Sequence, residues 1–156
     1  MAEGSKAREM YELVLSVIKR KKWEVEERPD DLELVLNMDG EDLPISMNIR
    51  IKERLEAISI FCNLPFEMSE ENRMSVAAAI NFINGTIPEG NFDFSLKTGD
   101  VGFRYTALYS EGSIISDKLV EKMLDGTVSA LNHYTAMIFA LSKGMIDLEK
   151  FLEVMG

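Results

Sequence analysis

The sequence predicts an α+β domain in which helices pack on one face of an antiparallel sheet of five to six strands. Three observations predict this class. A helical segment over 69–85 is apolar almost all round, so we expect it to be covered on more than one side. Two alternating runs at 91–96 and 101–109 follow it as a β-hairpin. The segments on either side of this central region also show the apolar periodicities of helices and strands.

The predicted order of elements is α-β-β-β-(β)-α-β-β-α(-α). At 156 residues, with no internal repeat, low-complexity tract or linker, the chain is expected to form one domain over 1–156. Its last segment, 144–156, is expected to be a helical tail.

The first predicted helix runs from a cap at Ser5 to about Lys21. Its apolar positions have the spacing of one helical stripe: Met10, Leu13, Val14, Val17 and Ile18. Four basic residues at 19–22 complement the helix dipole at this end. We prefer that interpretation to a nucleic-acid patch because the surrounding chain is acidic.

Four strands are predicted next, at 23–28, 32–38, 45–51 and 55–62. The third has the clearest alternation, and a slip of one residue would turn its four apolar side chains to water. Trp23 and Val25 are expected to share one face of the first strand. Pro65 is expected to end the strand region before the central helix.

The central helix is expected to begin at an N-cap at Ser69 and to end where Gly85 takes a left-handed C′ conformation. An amide on an apolar helix needs a partner if it is buried. We therefore expect Asn81 to bond the backbone of the loop before the hairpin. A ligand-binding role for Asn81 and Asn84 is the alternative.

The third helix is predicted to begin at a Ser116 cap. Gly126 either divides it into two helices or is tolerated inside one at a cost of about 1 kcal/mol, and we predict a break or kink. Asp147 is expected to cap a short final helix. This helix needs a groove to pack on, in its own molecule or in a neighbour.

Charge argues against general binding of nucleic acid, since 27 acidic and 17 basic residues give a net charge of −10. Nine acids and one base lie between Glu24 and Asp42. This stretch is interpreted as a solvated hairpin face, with a dock for a basic partner segment as the alternative.

Cys62 is the only cysteine, which excludes an intramolecular disulfide and favours a reducing compartment. The first residues lack the apolar core of a signal peptide, and no apolar run approaches the ~20 residues that span a bilayer. We expect a cytoplasmic protein that does not bind membranes.

No catalytic, metal or cofactor site is predicted. His133 is the single histidine and is interpreted as a packing or surface residue, and Cys62 as a small buried apolar one. Phosphate-binding and nucleophile motifs are absent from the sequence. The ten methionines are interpreted as core filling, with an adaptable interaction groove as the alternative.

The chain resembles the YbjN family, bacterial proteins of unclear activity that are sometimes labelled sensory-transduction regulators. The resemblance covers 5–143 and is carried by four segments: Asn81 to Asn84, Asn91 to Phe94, Gly99 to Tyr105, and His133-Tyr134. The family fold is similar to that of type III secretion chaperones. This implies homodimers that hold unfolded segments of partner proteins against apolar patches.

Two functional hypotheses follow. The first is a non-enzymatic protein-interaction module that forms a homodimer and binds a partner protein or peptide. The second is a sensor with a small-ligand pocket between sheet and helices. Either hypothesis uses the same candidate groove: Asn81, Asn84, Tyr105 and Tyr134.

Overall fold

The computed structural model describes residues 4–156 and contains four α-helices and a six-stranded sheet. The helices are α1 (Lys6–Arg20), α2 (Arg73–Thr86), α3 (Asp117–Ser142) and α4 (Leu148–Met155). The strands are β1 (Glu26–Arg28), β2 (Glu33–Asp39), β3 (Pro44–Lys52), β4 (Ala57–Glu67), β5 (Asn91–Phe94) and β6 (Asp100–Leu108). The predicted α+β class and element order are confirmed.

The strand order is β1-β2-β3-β4-β6-β5, and every neighbouring pair is antiparallel. The first four strands form a meander. Helix α2 follows β4, and the chain then returns to the sheet as the β5–β6 hairpin. In this hairpin β6 pairs with β4, and β5 is the outer strand. Within residues 4–156, no helix is both long and apolar enough to cross a membrane.

The core lies between the inner face of the sheet and the helices. Ile49 pairs with Ile60, and Cys62 pairs with Phe103, so the apolar positions of neighbouring strands stack on one face. These four side chains are at most 1% exposed. Burial of each large aliphatic or aromatic side chain stabilises the fold by about 1.5–3 kcal/mol, which is why strand alternation determines the register.

The predicted first strand is too long, because Trp23 belongs to the end of α1 instead. Lys22 has a left-handed φ of 59°, and the Trp23 N–H donates to the Ile18 carbonyl. The ammonium of Lys21 lies 4.9 Å from the centre of the Trp23 ring. The chain reaches extended pairing only at Glu26.

The expectation that Pro65 ends the strand region is wrong, since β4 continues to Glu67. Pairing with β6 is interrupted between Asn63 and Glu67, where the register shifts. Pro65 lies inside this irregularity. A proline is tolerated there because its missing N–H removes no bond of the ladder.

Both predicted ends of the central helix are wrong. A 3-10 turn over Glu70–Asn72 comes first, and the Ser69 hydroxyl donates to the Ser142 carbonyl at 3.4 Å instead of capping α2. At the other end Gly85 is still helical and does not have a positive φ. The helix ends one residue later, at Thr86, because Ile87 before Pro88 is extended.

The predicted break at Gly126 is wrong, because α3 is one continuous helix of 26 residues. Met123, Leu124 and Thr127 around the glycine are buried. Their packing outweighs the ~1 kcal/mol by which glycine disfavours a helix. The capped final helix is confirmed: Asp147 accepts a bond from the Lys150 N–H at 2.8 Å, and α4 packs on its own molecule.

Candidate functional site

The side-chain amide of Asn84 is bonded to the outer edge of the sheet. Its Nδ2 donates to the Phe92 carbonyl at 3.0 Å, and its Oδ1 accepts from the Phe92 N–H at 2.8 Å. Phe92 lies opposite Phe103 in the β5–β6 pair. Because its N–H and C=O both bond Asn84, these backbone groups point away from β6. Asn84 therefore takes the place that a neighbouring strand would occupy.

The expectation for Asn81 is wrong, because Asn84 makes the bond to the backbone. Asn81 lies exposed on the outer side of α2. The two residues are three positions apart, and only the later one lies beside β5 at the end of the helix. Asn81 and Asn84 therefore do not form a joint site.

Tyr134 lies close to the hairpin that Asn84 bonds, and Tyr105 belongs to its second strand, β6. The Tyr134 ring is edge-on to Phe92, with ring centres 6.0 Å apart. The Tyr105 hydroxyl donates to Oε2 of Glu89 at 2.7 Å. Burial, together with this carboxylate, raises the pKa of Tyr105 to about 12. Three of the four predicted groove residues thus lie in the β5–β6 hairpin or against it, where each one contacts the protein's own chain.

The opposite face of the sheet carries no helix in the described part of the chain, and we call it the open face. Pairing aligns its residues in rows across the strands. One row is Val35, Asn48, Phe61 and Arg104; the next is Glu33, Arg50, Ser59 and Thr106. An antiparallel sheet can leave one face in water. This face contains an aromatic ring and several basic residues.

Glu33 is the best-buried charged group of the open face, with a side chain only 4% exposed. Arg50 donates to its Oε1 at 2.7 Å, and Arg28 donates to its Oε2 at 2.9 Å. Burial alone raises the pKa of Glu33. Hydrogen bonds from Arg50, Arg28 and Asn48 outweigh burial, so the pKa lies below its ordinary value of 4.5.

Phe61 lies across a glycine of the adjacent strand. A Cβ atom on Gly102 would lie 2.8 Å from Cε2 of Phe61 and 3.2 Å from the Cys62 carbonyl oxygen. Such a distance to a ring is a clash. Gly102 therefore lets the ring lie flat against β6, as an aromatic neighbour covers a glycine in many sheets.

Beside this ring is a shallow depression of about 340 Å³. Its lining contains three basic residues and no acid: Asn48, Arg50, Lys52, Ser59, Phe61 and Arg104. The side-chain amide oxygen of Asn48, Oδ1, is buried there without a hydrogen-bond partner. Arginine binds carboxylates through charge-assisted bonds and stacks on aromatic faces. Arg50 is already paired with Glu33 and Arg104 with Asp93, each at 2.7 Å. An anionic group attached to an apolar body would therefore contact Lys52 and the remaining N–H donors of the two arginines.

Both edges of the sheet are poor places for an added strand. The edge strand β1 has only three residues, all charged and exposed: Glu26, Glu27 and Arg28. The other edge, β5, is bonded at its centre by Asn84. Short charged edges and covered edges are the usual protections against strand addition. A partner is better accommodated on a face than at an edge.

Cys62 and His133 lie in different environments. Cys62 is buried on the inner face of the sheet, and burial raises the pKa of its thiol to about 12. His133 is exposed on α3 beside Tyr134. Among the residues described, no group of three or more His, Cys, Asp or Glu side chains could hold a metal ion.

Sequence reasoning missed the residues of the open face. Arg50, Phe61, Gly102 and Arg104 come from three strands, and only the sheet brings them together. A signal was available, since the positions between the buried residues at 45–51 and 57–62 point to one common face. Strand order was needed to show which of these positions meet.

Comparisons with known proteins agree on one family. The model for YbjN, described as a putative bacterial sensory transduction regulator, matches residues 11–140. The crystal structure of YbjN from E. coli, described there as a putative transcription regulator, is similar with a TM-score of 0.56 and 10% sequence identity. That match covers 81% of this chain and 91% of the other, and it shows the shared fold. No curated protein matches the chain.

Proposed function

The chain belongs to the YbjN family, and from this premise we propose that it is a non-enzymatic protein-interaction module with a regulatory role. It acts in the cytoplasm, forms a homodimer and binds a segment of a partner protein. The single observation that carries this proposal is the open face, where Phe61 lies among basic residues on a sheet surface without a covering helix.

The charge of the open face identifies the chemistry of the partner. The chain as a whole has a net charge of −10, but the depression beside Phe61 is lined by three bases, of which Arg50 and Arg104 are paired with Glu33 and Asp93 and Lys52 is exposed. A partner segment with carboxylates and an aromatic or aliphatic side chain complements this surface. Because both sheet edges are protected, the contact is made by side chains on the face.

Binding of a synthetic peptide tests the proposal. The probe is a labelled peptide that alternates glutamate and phenylalanine, compared with one in which lysine replaces glutamate. Lys52→Glu reverses an exposed charge in the depression, so we expect it to weaken binding of the acidic peptide roughly tenfold. Added salt should weaken binding further, because exposed charges are screened.

Lys122→Glu is the matched control, since it makes the same charge change on the exposed surface of α3. It should bind the acidic peptide like the unmodified protein. Equal binding by the Lys52 and Lys122 variants would exclude the open face as the site. Native mass spectrometry tests self-association: a homodimer is expected, and a strict monomer would contradict that part of the proposal.

The second candidate function is a sensor for a small anionic ligand. The side-chain oxygen Oδ1 of Asn48 is buried in the basic depression without a hydrogen-bond partner, and it favours a ligand that carries a donor N–H or O–H as well as its anionic group. The same mass spectra separate the two functions. A fixed extra mass on the purified protein, lost in a Phe61→Ser variant, would favour the sensor over the protein-binding module.

A further inference from the structure

A small, partly enclosed cavity lies between α3 and the sheet, at the end of the sheet where β3 begins. Its volume is about 10 Å³, which is about the room that one water molecule needs. It is separate from the depression of the open face, since the two share no lining residue. Five polar residues are among those that line it: Asp42, Ser46, Asn63, Asn132 and Thr135.

Thr135 is buried in the wall of this cavity, at 7% exposure, and its hydroxyl oxygen has no hydrogen-bond partner in the described part of the chain. A helical threonine often bonds the carbonyl four residues earlier. Thr127 in the same helix does so, because its hydroxyl donates to the Met123 carbonyl at 2.7 Å. Thr135 makes no such bond. A buried hydroxyl without a partner is destabilising, so native proteins give such groups a protein or water partner.

Strand β4 supplies unpaired backbone at the same place. Its pairing with β3 ends at Asn63, opposite Ser46, and its pairing with β6 is interrupted from Asn63 to Glu67. Leu64 lies in this interval, is buried and lines the cavity, so its backbone groups have no ladder partner on either side. The next residue, Pro65, has no N–H. Buried backbone groups that a ladder leaves free need another partner, and ordered water is a common one.

Asn132 adds a polar group one turn before Thr135 on the same helix. Its Oδ1 accepts from the Glu41 N–H at 3.0 Å, which attaches the turn between β2 and β3 to α3. Asn132 also lines the cavity, and its Nδ2 is not used in that bond. The cavity is therefore bordered by polar groups from α3 on one side and from β4 on the other.

We infer that this cavity binds one water molecule, which joins the Thr135 hydroxyl on α3 to the unpaired backbone of β4 at Leu64. A buried water makes about three hydrogen bonds, and these groups together with the Asn132 amide can supply them. The water attaches α3 to the sheet where the ladder is interrupted, and it helps to accommodate Pro65 inside β4. This site is part of the fold and is independent of the open face.

A high-resolution crystal structure of the unmodified protein is the first test. It should show an ordered water within hydrogen-bond distance of Thr135 Oγ1 and of a backbone atom of Leu64. A Thr135 hydroxyl turned to the Leu131 carbonyl, with no water in the cavity, would overturn the inference. This measurement needs no variant, so it decides the case in which a variant does not fold.

Thr135→Val tests the hydroxyl in solution, because valine has nearly the same shape without the oxygen. If the hydroxyl bonds the water, the urea midpoint should fall, since the backbone of Leu64 loses its bridge to α3. An unchanged or higher midpoint is the result expected for a hydroxyl that bonds nothing, and it would contradict the inference.

Thr127→Val is the matched control, since it makes the same change in the same helix at a hydroxyl that bonds only its own helix. The Met123 carbonyl keeps its helical bond in that variant, so the urea midpoint should fall less than in Thr135→Val. Equal falls in the two variants would mean that the loss at 135 has nothing to do with a bridging water.

Nuclear Overhauser effects from a long-lived water to the protons of Leu64 are the third test. The unmodified protein and Thr135→Ser, which keeps the hydroxyl, should both show them. Thr135→Val should lose them. The same effects in Thr135→Val would show that the water does not depend on the hydroxyl, and would overturn the bridge between α3 and β4.

Discussion

The side-chain amide of Asn84 bonds both backbone groups of Phe92: its Oδ1 lies 2.8 Å from the Phe92 nitrogen, and its Nδ2 lies 3.0 Å from the Phe92 oxygen. One side chain at the end of α2 thus satisfies the outward backbone groups at the centre of the edge strand β5. The contact has two consequences. It joins helix to sheet, and it protects a sheet edge that would otherwise be open to another chain.

Replacement of Asn84 by alanine should destabilise the protein by about 1–3 kcal/mol, since it leaves a backbone donor and acceptor without partners. Urea unfolding measures the change. Asn81→Ala, on the exposed side of the same helix, should change stability by less than about 0.5 kcal/mol. Equal effects of the two variants would contradict the role given to Asn84.

Gly102→Ala should destabilise the protein by about 1–3 kcal/mol, because the new methyl group overlaps the Phe61 ring. The double variant with Phe61→Ala tests the cause. If the ring is the obstacle, Gly102→Ala should destabilise the protein less when Phe61 is absent. A double-mutant cycle measures this difference. Additive effects would show that the nearby Cys62 carbonyl is the obstacle instead.

Gly126→Ala should stabilise the protein by about 0.5–1 kcal/mol, as expected for a glycine inside a continuous helix. No atom lies within 4 Å of the position that its Cβ would take, so the methyl group has room. Thermal unfolding detects the change as a higher midpoint. A lower midpoint would mean that α3 needs flexibility at this residue.

The buried carboxylate of Glu33 should make stability depend on pH. Its pKa in the folded protein lies below 4.5, so the folded state favours the charged form. This stabilisation is complete above the unfolded pKa near 4.5 and is lost as the pH falls through the lower pKa of the folded state. Glu33→Gln should cost about 1–3 kcal/mol at neutral pH through its bonds to Arg28 and Arg50.

The gap in free energy of unfolding between the Glu33→Gln variant and the unmodified protein should therefore narrow as the pH falls below about 4.5. Denaturant titrations at several pH values measure this gap. Glu26→Gln is the control, because that carboxylate is exposed and its bond is to Arg28 alone. A gap that stays constant down to acid pH would contradict a lowered pKa of Glu33 in the folded protein.

Regular local patterns in the sequence were sufficient to predict the main elements. The alternation of apolar side chains at 45–51 predicted β3, and the helical stripe of α1 was present at the expected spacing. The caps at Ser5, Ser116 and Asp147 were also readable, because a cap bonds an amide only three residues away. Each of these signals operates between residues close in the chain.

The remaining features depend on residues that are distant in the chain or on packing that overrides local preference. Gly126 and Pro65 are usual breakers, yet buried neighbours and an irregular pairing accommodate them inside regular elements. The choice of Asn84 over Asn81 required the position of β5 relative to α2. The open face required strand order, which places Phe61 beside Gly102 and Arg104. Local periodicity thus determined which elements form, and tertiary packing alone decided which side chains meet, because those contacts depend on the arrangement of whole elements.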